Sequence, residues 1–252
     1  MLEPRPACDV SDARRLKDAD THEDWERVLA AAARLQSIVP EAVLVGGCAA
    51  ALYAGHRFSR DDDHVVADLR ARFDAVLQRL EEVAGWKTAR ISRPVQILGQ
   101  LDGVDTGIRQ LRRTRPLETV SSQTRFGTIT IPSAAEMLRV KAYLVVTRNA
   151  ARDYIDVAAL SDLLDRSRDG AGAEILAAFD DYYPQDNGAS IALQVAKQLA
   201  EPMPYDVTGD GDLSVYRITD PRWATWSAVR SHTKALAARV VRDYVRRGDD
   251  SP

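Results

Sequence analysis

The sequence lacks the features that mark secreted and membrane-spanning proteins. Its only two cysteines, Cys8 and Cys48, form neither a disulfide framework nor a metal-ligand spacing, so we expect free thiols in a reducing compartment. No apolar run approaches the roughly 20 residues that a transmembrane helix needs. The N-terminal stretch MLEPRPACDVSDARR lacks the apolar segment of a secretory signal. We therefore expect a cytoplasmic protein with no membrane partner.

A strong excess of positive charge is also missing. The formal net charge is −3 at pH 7 over 252 residues, so no global positive field attracts nucleic acids. A nucleic-acid partner would have to be held by a local basic face. The length and the ordinary proportions of apolar and charged residues allow a sizeable core, arranged as one large domain or two smaller ones.

Hydrophobic spacing and turn residues predict the secondary structure along most of the chain. The polar segment 1–20 should be loose before the first helix begins. Asp102-Gly103, between two apolar stretches, predicts a β-hairpin, and a capping box starting at Ser133 predicts a helix that can break near Asn149. The last third should be mostly helical, with one short strand over 213–218.

The most informative stretch is VLVGGCAAALYAGHRFSRDDDHVV, residues 43–66. Its pattern predicts a buried strand, the pair Gly46-Gly47, a short helix, a polar turn and a second strand that opens with aspartates. Paired glycines let the backbone approach a phosphate, and the first N–H groups of the helix can face the anion. A plain strand-to-helix turn is the alternative interpretation of this glycine pair.

The three consecutive aspartates have different predicted directions. Because side chains alternate along a strand, Asp61 and Asp63 should share one face while Asp62 points to the other. Two carboxylates on a rigid strand form a site for Mg²⁺ (or Mn²⁺), which often completes its coordination with substrate phosphates. Together with the glycine pair, they predict a site for nucleotidyl transfer.

Further polar residues near this stretch have two interpretations each. Ser59 could donate its hydroxyl to a triphosphate oxygen or cap the turn, and Arg57 could clamp a phosphate or pair with the neighbouring acids. Arg148 and Arg152 follow Lys141 by seven and eleven residues, offsets that return close to one helical face. Both arginines could therefore bind phosphates of a nucleotide or of RNA.

Two motifs carry a family resemblance. Gly46-Gly47, a spacer and the RxSxDxD stretch from Arg57 to Asp63 resemble the signature of nucleotidyltransferases with the polymerase-beta-like fold. The spacing is most similar to that of the AbiEii/AbiGii toxin group, which includes the MenT-like toxins. Downstream, EMLRVKA at 136–142 and RDYIDVAAL at 152–160 resemble the helical K-x-x-A … R-D-x-x-D-x-x-x-L motif of that group.

The resemblance implies an architecture and a division of the chain. It implies an α+β fold with a polymerase-beta-like nucleotidyltransferase core, a mixed sheet flanked by helices, over residues 20–131. A mostly helical C-terminal region over residues 132–252 would complete the active-site cleft.

The resemblance also implies roles for individual residues. Asp105, just after the predicted hairpin turn, would be a third metal-binding acid beside Asp61 and Asp63, with a solvated hairpin aspartate as the alternative. Lys141 would be a charge partner for the nucleotide phosphates, and Asp156 would be a further site acid. A lysine that reaches solvent and an aspartate paired with a nearby arginine are the structural alternatives. Many relatives have an apolar residue where Asp62 stands, so the metal-binding register could be shifted by one.

The function implied is Mg²⁺-dependent transfer of a nucleoside monophosphate from a nucleoside triphosphate to an acceptor hydroxyl. The resemblance implies that the acceptor is the 3′ end of tRNA and that the protein is a toxin neutralised by a cognate antitoxin. Transfer to a small molecule or a protein and an inactive nucleotide-binding module are the alternatives. Two basic clusters could bind the acceptor, and the first is favoured: Arg109, Arg112, Arg113 and Arg115, then Arg239, Arg242, Arg246 and Arg247.

Overall fold

The computed structural model describes residues 10–113, 115–207, 211 and 213–249, with side chains from residue 22 onward. In this part of the chain the α-helices are α1 (Val10–Ile38), α2 (Gly46–Ala54), α3 (Leu69–Glu81), α4 (Ala134–Arg148), α5 (Ala151–Ser167), α6 (Ala171–Ala177), α7 (Ile191–Ala200) and α8 (Trp226–Asp249). The strands are β1 (Val43–Val45), β2 (Asp61–Val66), β3 (Trp86–Ser92), β4 (Gln96–Leu101), β5 (Val104–Gln110), β6 (Thr119–Thr124) and β7 (Gly127–Pro132).

Five of these strands form one mixed sheet in the order β1-β2-β5-β4-β3. The pair β2–β5 is parallel and the other three pairs are antiparallel. Strands β6 and β7 form a separate antiparallel hairpin that leads into α4. The predicted α+β class, with a mixed sheet flanked by helices and a mostly helical C-terminal part, is confirmed, and the division between residues 131 and 132 stays a prediction.

One face of the sheet is packed against α1 and α3. Its apolar side chains form a buried cluster with those helices: Val66, Trp86, Ile97, Leu101 and Ile108 of the strands, with Leu35, Val39, Leu69, Phe73, Val76, Leu77 and Leu80. We call this side the packed face. A second buried cluster joins part of α1 to α2 and to α4–α8. Both cores form because each element exposes an apolar stripe that can be removed from water only against a neighbour.

Several local predictions are confirmed by the backbone geometry. Asp102 and Gly103 both have positive φ, 53° and 80°, as a tight two-residue hairpin turn between β4 and β5 requires. The Ser133 side chain accepts a hydrogen bond from the Glu136 N–H at the start of α4. The helix ends at Asn149, whose φ of 54° is left-handed, so α5 begins as a new helix.

Other predictions of secondary structure are wrong. Residues 10–20, predicted to be loose, belong to α1. The prediction failed because these residues are mostly polar, and the apolar spacing typical of a helix begins only at residue 23. Strand β6 was not predicted because its residues are mostly polar and exposed. In place of the strand predicted over 213–218 there is a 3₁₀ turn at Ser214–Tyr216 and a single bridge from Ile218 to Arg57. Cys8 lies outside the described residues.

The packed face also buries a histidine. His64 is fully buried in β2, and neither of its ring nitrogens has a hydrogen-bond partner among the described residues. Burial lowers the pKa of His64 to about 3. As the pH falls below 6.5, His64 takes up a proton in the unfolded chain but stays neutral in the folded chain. The contribution of His64 to the free energy of unfolding is therefore fully present above pH 6.5 and is lost as the pH falls toward 3.

We expect His64→Leu to remove this acid sensitivity. The difference in free energy of unfolding between the wild type and the variant should change by about 2 kcal/mol between pH 7 and pH 5. Urea unfolding followed by circular dichroism at both pH values measures it. His22→Gln, at an exposed position of α1, is the control that should not alter the difference. Wild-type and His64→Leu curves that stay parallel with pH would contradict the prediction.

Candidate active site

The parallel pairing of β2 with β5 brings three acids to one face of the sheet. The register pairs Asp61 with Asp105 and Asp63 with Gly107. Because paired residues point to the same side, all three carboxylates share the face opposite the packed one. We call this side the open face. Asp61 and Asp63 are half-buried, and Asp105 is exposed.

Two of the acids have polar neighbours that restrain them. The Ser59 hydroxyl, two residues before β2, donates to Asp61 Oδ1 at 2.9 Å and so restrains the first carboxylate. Arg109 lies two residues beyond Gly107 on the same face, and its Nη2 is 3.3 Å from Asp63 Oδ1. The acidic site therefore has a partly exposed guanidinium at its edge.

The two glycines place the start of α2 against these residues. Helix α2 begins at Gly46, which has a φ of +72°. A Cβ added to Gly46 would lie 3.3 Å from the Asp63 Cβ, and one added to Gly47 would lie 2.5 Å from Arg57 Nη2 and 2.8 Å from Ser59 Oγ. The positive φ of Gly46 and the short distances at Gly47 favour glycine at both positions, and they bring the first turn of α2 against Asp63 and Ser59.

A buried ionic network lies behind the site, centred on Asp156. The carboxylate of Asp156 is fully buried and accepts hydrogen bonds from Arg57 Nε at 2.6 Å and Arg57 Nη2 at 2.9 Å. Lys141 Nζ is 2.7 Å from its Oδ2, and His56 Nε2 is 2.7 Å from its Oδ1. Burial favours the neutral acid, but the charges of Arg57 and Lys141 and the hydrogen bonds hold the pKa of Asp156 well below its usual value. Burial lowers the pKa of His56, so the neutral ring donates from Nε2.

A second buried aspartate extends this network toward the open face. Asp153 accepts from Arg148 Nε at 2.8 Å and Nη2 at 2.6 Å, and Lys141 Nζ lies 3.6 Å away. Burial opposes the charge of Arg148, but Asp153, then Asp156 and Asp63, raise its pKa. With neutral His56, three cations meet two anions, so the network has one positive charge in excess.

This network fixes the loop that leads into β2. Arg57 belongs to the loop between α2 and β2, and Asp156 belongs to α5, so their bidentate pair ties the two elements together. The 217–220 segment supports the loop from the other side. There the N–H of Thr219 donates to the His56 carbonyl at 2.9 Å, and the N–H of Phe58 donates to the Arg217 carbonyl at 3.1 Å. The position of Asp61 therefore depends on residues from the far part of the chain.

The structure places the predicted basic residues in different settings. Lys141, only 1% exposed, is held by Asp156, so the structure does not show the direct phosphate contact that the resemblance implies, and that contact stays a prediction. Arg57 is likewise buried in the network. Arg148 is 33% exposed and is the member of the network closest to solvent. Arg152 does not pair with Asp156, and no ion pair in the described ranges includes it.

The donor set on the open face suits a hard cation. Gln100 Nε2 donates to Asp105 Oδ1 at 2.8 Å, which leaves Asp61 and Asp63 as the adjacent pair of carboxylates. In residues 10–113, 115–207, 211 and 213–249 no group of three His, Cys, Asp or Glu side chains could hold a metal ion. Mg²⁺ commonly binds proteins through one or two carboxylates and takes its other ligands from water and substrate phosphates. A two-carboxylate site therefore fits Mg²⁺.

The position of Asp62 bears on which aspartates of β2 could bind a metal ion. It lies on the packed face, fully buried, and burial raises its pKa well above the usual value. Neither of its carboxylate oxygens has a hydrogen-bond partner among the described residues. β2 begins at Asp61, so the strand is already formed at Asp62 rather than frayed there. Of the three consecutive aspartates, only Asp61 and Asp63 are therefore available to a ligand on the open face.

The two predicted basic clusters are largely occupied by internal partners. Arg113 is 5% exposed, 2.7 Å from Glu136, and donates to two backbone carbonyls of its own loop. Arg115 stacks on the Tyr182 ring at 3.9 Å. In the C-terminal cluster, each arginine has a carboxylate partner within helix α8 or on a neighbouring element: Arg239 with Asp165, Arg242 and Arg246 with Asp243, and Arg247 with Asp181. The side chain of Arg113 is buried against Glu136, whereas Arg109, Arg112 and Arg115 are exposed, so acceptor binding by this cluster stays a prediction that only those three can support.

Sequence reasoning missed His56, Gln100 and the role of Asp153. His56 and Gln100 act through partners that are distant in sequence or across a hairpin, so no local pattern marks them. Asp153 stands inside the RDYIDVAAL motif, and its burial beside Arg148 could have been suspected from the charge at an inward helical position.

Comparison with known proteins gives partial similarities. No family model matches the chain. The mycolic acid-containing lipids exporter MmpL11 of Mycolicibacterium smegmatis is 28% identical over 249 residues, covering 95% of this chain and 24% of that protein. The heme uptake protein MmpL11 of Mycobacterium tuberculosis is 35% identical over 135 residues, covering 52% of this chain and 13% of that protein. The chain thus spans a quarter or less of the length of these relatives. Within the described residues, every helix is too short or too polar to traverse a bilayer.

Two solved structures have related shapes. An antigenic nucleotidyltransferase-like protein from Paracoccidioides brasiliensis is 15% identical, with a TM-score of 0.45 over 63% of this chain and 88% of that chain. JHP933 from Helicobacter pylori is 14% identical, with a TM-score of 0.47 over 90% of this chain and 94% of that chain. Neither similarity assigns a role to any residue of this chain.

Proposed function

We propose that this protein is a Mg²⁺-dependent nucleotidyltransferase that transfers a nucleoside monophosphate from a nucleoside triphosphate to an acceptor hydroxyl and releases pyrophosphate. The observation that supports it best is the open face itself. Asp61, Asp63 and Asp105 share that face, and the glycine-opened start of α2 lies against Asp63 and Ser59. An anionic triphosphate beside carboxylates requires a cation between them, and this site offers both the carboxylates and the helix N-terminus.

Each part of the site has a task in this proposal. The first N–H groups of α2 bind the triphosphate, with Ser59 and the exposed edge of Arg148 beside them. Asp61 and Asp63 hold Mg²⁺, and Asp105 is positioned to accept the proton of the acceptor hydroxyl or to share the ion. When bound, Mg²⁺ supplies charge neutralisation to the reacting phosphate oxygens. The Asp156 network keeps the loop before β2 in place, so that the two carboxylates stay aligned.

The acceptor in this proposal is the 3′ end of tRNA, and the cellular role is that of a toxin with a cognate antitoxin. The support for this part is the similarity of two motifs, the glycine–aspartate block and the helical block containing Lys141 and Asp156, to the AbiEii/AbiGii group. The retained carboxylates favour an active enzyme over an inactive nucleotide-binding module.

Labelling of acceptors in vitro tests the proposal. Purified protein is incubated with each of the α-³²P-labelled nucleoside triphosphates, Mg²⁺ and total RNA, and the products are separated by gel. We expect wild type to label RNA and Asp61→Asn and Asp63→Asn to lose at least about a hundredfold of that activity, because each removes an anionic ligand of the cation. Asp68→Asn, an exposed aspartate after β2, is the matched control and should retain full activity.

Other outcomes separate the alternatives. Label in protein or in a small acceptor, with RNA unlabelled, would favour AMPylation-like or antibiotic-modifying chemistry. Wild type that labels nothing, or variants that label as well as wild type, would contradict the proposed reaction. Omission of Mg²⁺, with EDTA added, should abolish labelling, and restoration by Mn²⁺ would support a hard-cation site.

A further inference from the structure

The open face continues beyond the acids across three more strands. In one row of the sheet, Asp61 is followed by Asp105, then Gln100 of β4, then Lys87 of β3. In the next row, Asp63 is followed by Gly107, then Leu98, then Arg90. The pairing therefore places the acids of β2 in line with the cations of β3. Gln100 lies between them in the first row and Leu98 in the second. All of these side chains belong to the face that α1 and α3 leave free.

The two cations at the far end of this face are available to a ligand. Lys87 and Arg90 are both exposed, and neither has an ion-pair partner among the described residues. The contrast with nearby Arg93 is informative, because Arg93 turns to the packed side, where it pairs with Asp74 and lies over the Phe73 ring. The charges of Lys87 and Arg90 thus remain exposed and without internal neutralisation, on either side of a β-bulge in β3.

The spacing separates these cations from the nucleotide itself. Neighbouring strands lie about 4.8 Å apart, so β3 is roughly 14 Å from β2 across the sheet. The start of α2 lies at the opposite, β1 side of the acids. A triphosphate bound at α2 and at Asp61 and Asp63 therefore cannot also reach β3. A second anionic chain that ends at the acids could reach it.

We propose that the open face from β5 to β3 is the track of the acceptor, and that this acceptor is a single-stranded RNA. Lys87 and Arg90 bind its phosphates, Gln100 offers hydrogen bonds to its backbone, and its terminal hydroxyl lies at the carboxylates. This inference rests on the proposed function and deepens it by assigning the acceptor surface. The contacts are to phosphates, so recognition on this face is independent of base sequence.

RNA binding without turnover tests the assignment. Fluorescence anisotropy of a short fluorescein-labelled oligoribonucleotide of mixed sequence is measured over a series of KCl concentrations with wild type and with Lys87→Gln/Arg90→Gln. We expect the double variant to bind about tenfold more weakly and the slope of log affinity against log salt to become shallower by about 1.4, since two phosphate contacts are lost. Lys197→Gln/Arg230→Gln removes two exposed, unpaired cations of α7 and α8 and should bind like wild type.

The outcomes distinguish this inference from the proposed function. Equal affinity and equal salt slope for Lys87→Gln/Arg90→Gln and wild type would overturn the acceptor track while leaving RNA labelling intact. Wild type that binds no RNA would also overturn it, even if protein or a small acceptor is labelled. Asp61→Asn/Asp63→Asn should lose labelling and keep RNA binding, because its substitutions lie outside the track. Equal melting temperatures of all variants show that no difference comes from misfolding.

Discussion

Replacement of Asp156 with alanine should destabilise the fold by about 3–5 kcal/mol, because Arg57 would remain buried without a carboxylate at ion-pair distance and Lys141 would keep only Asp153, at 3.6 Å. Arg57 and Lys141 both contact the Asp156 carboxylate, and both are almost fully buried. His56 would lose its hydrogen-bond partner as well. For a chain of this length the melting temperature should fall by roughly 10 °C. Thermal unfolding followed by circular dichroism measures the change.

An exposed aspartate provides the matched control for this variant. Asp74 is 81% exposed and pairs with Arg93 at the surface, so Asp74→Ala should change the melting temperature little. Asp156→Asn keeps the shape of the side chain and one acceptor oxygen and should fall between wild type and Asp156→Ala. If Asp156→Ala and Asp74→Ala melt together, the network does not stabilise the fold.

Glu136→Ala is the second substitution with a large expected effect, a loss of about 3 kcal/mol in the free energy of unfolding. The Glu136 carboxylate is fully buried between Arg113 at 2.7 Å and Arg139 at 3.1 Å. Arg139 would keep Glu118 at 3.1 Å and its stacking on Tyr182, which limits the loss. Arg113 would be left without a carboxylate partner among the described residues, and the loop between β5 and β6 would lose one of its two ion pairs with α4 while keeping Glu118–Arg139. Urea unfolding at neutral pH measures the difference.

Glu174→Ala is the control for this second network. Glu174 pairs with Arg168 at the protein surface, where both side chains are about half exposed, so its removal should have little effect on stability. Glu136→Gln should be milder than Glu136→Ala, because it can still accept one hydrogen bond. A Glu136→Ala protein that unfolds at the same urea concentration as Glu174→Ala would show that the buried arginines find other partners.

The unit from β1 to β2 could be predicted because its signals are local. An apolar burst, a glycine pair and alternate aspartates define a strand, a tight helix start and a shared face over a short stretch. The same holds for the Asp102-Gly103 hairpin and the Ser133 cap, where the turn chemistry lies within a few residues. The sequence therefore predicted which side of β2 would carry Asp61 and Asp63.

The partner of Asp156 could not be predicted in this way. Spacing along a helix favoured Arg152, one turn away, as a candidate. In the structure Asp156 faces inward from α5 and meets Arg57, which is 99 residues away in sequence. A carboxylate fully removed from water requires opposite charge nearby, and that requirement overrides the weak preference of an exposed helical pair.

The acceptor surface shows a similar limit of sequence reasoning. Arginines that are close in sequence after β5 suggest a basic patch, yet the side chain of Arg113 is buried against Glu136 and the exposed Arg115 stacks on Tyr182. Lys87 and Arg90 attract no notice in the sequence because two isolated cations in one strand, β3, do not form a basic run. They come into line with the acids only through the pairing of four strands.

The hydrogen bonds between the 217–220 segment and the loop before β2 limit how this architecture can be cut. The acids stand in the first half of the chain, but the backbone that aims them is held by Asp156 and by Arg217 and Thr219. A fragment that ends before these residues would keep its carboxylates but lose the contacts that hold the loop before β2 in position. The reactive groups and the rigidity they depend on are thus encoded far apart, and neither half of the chain is self-sufficient.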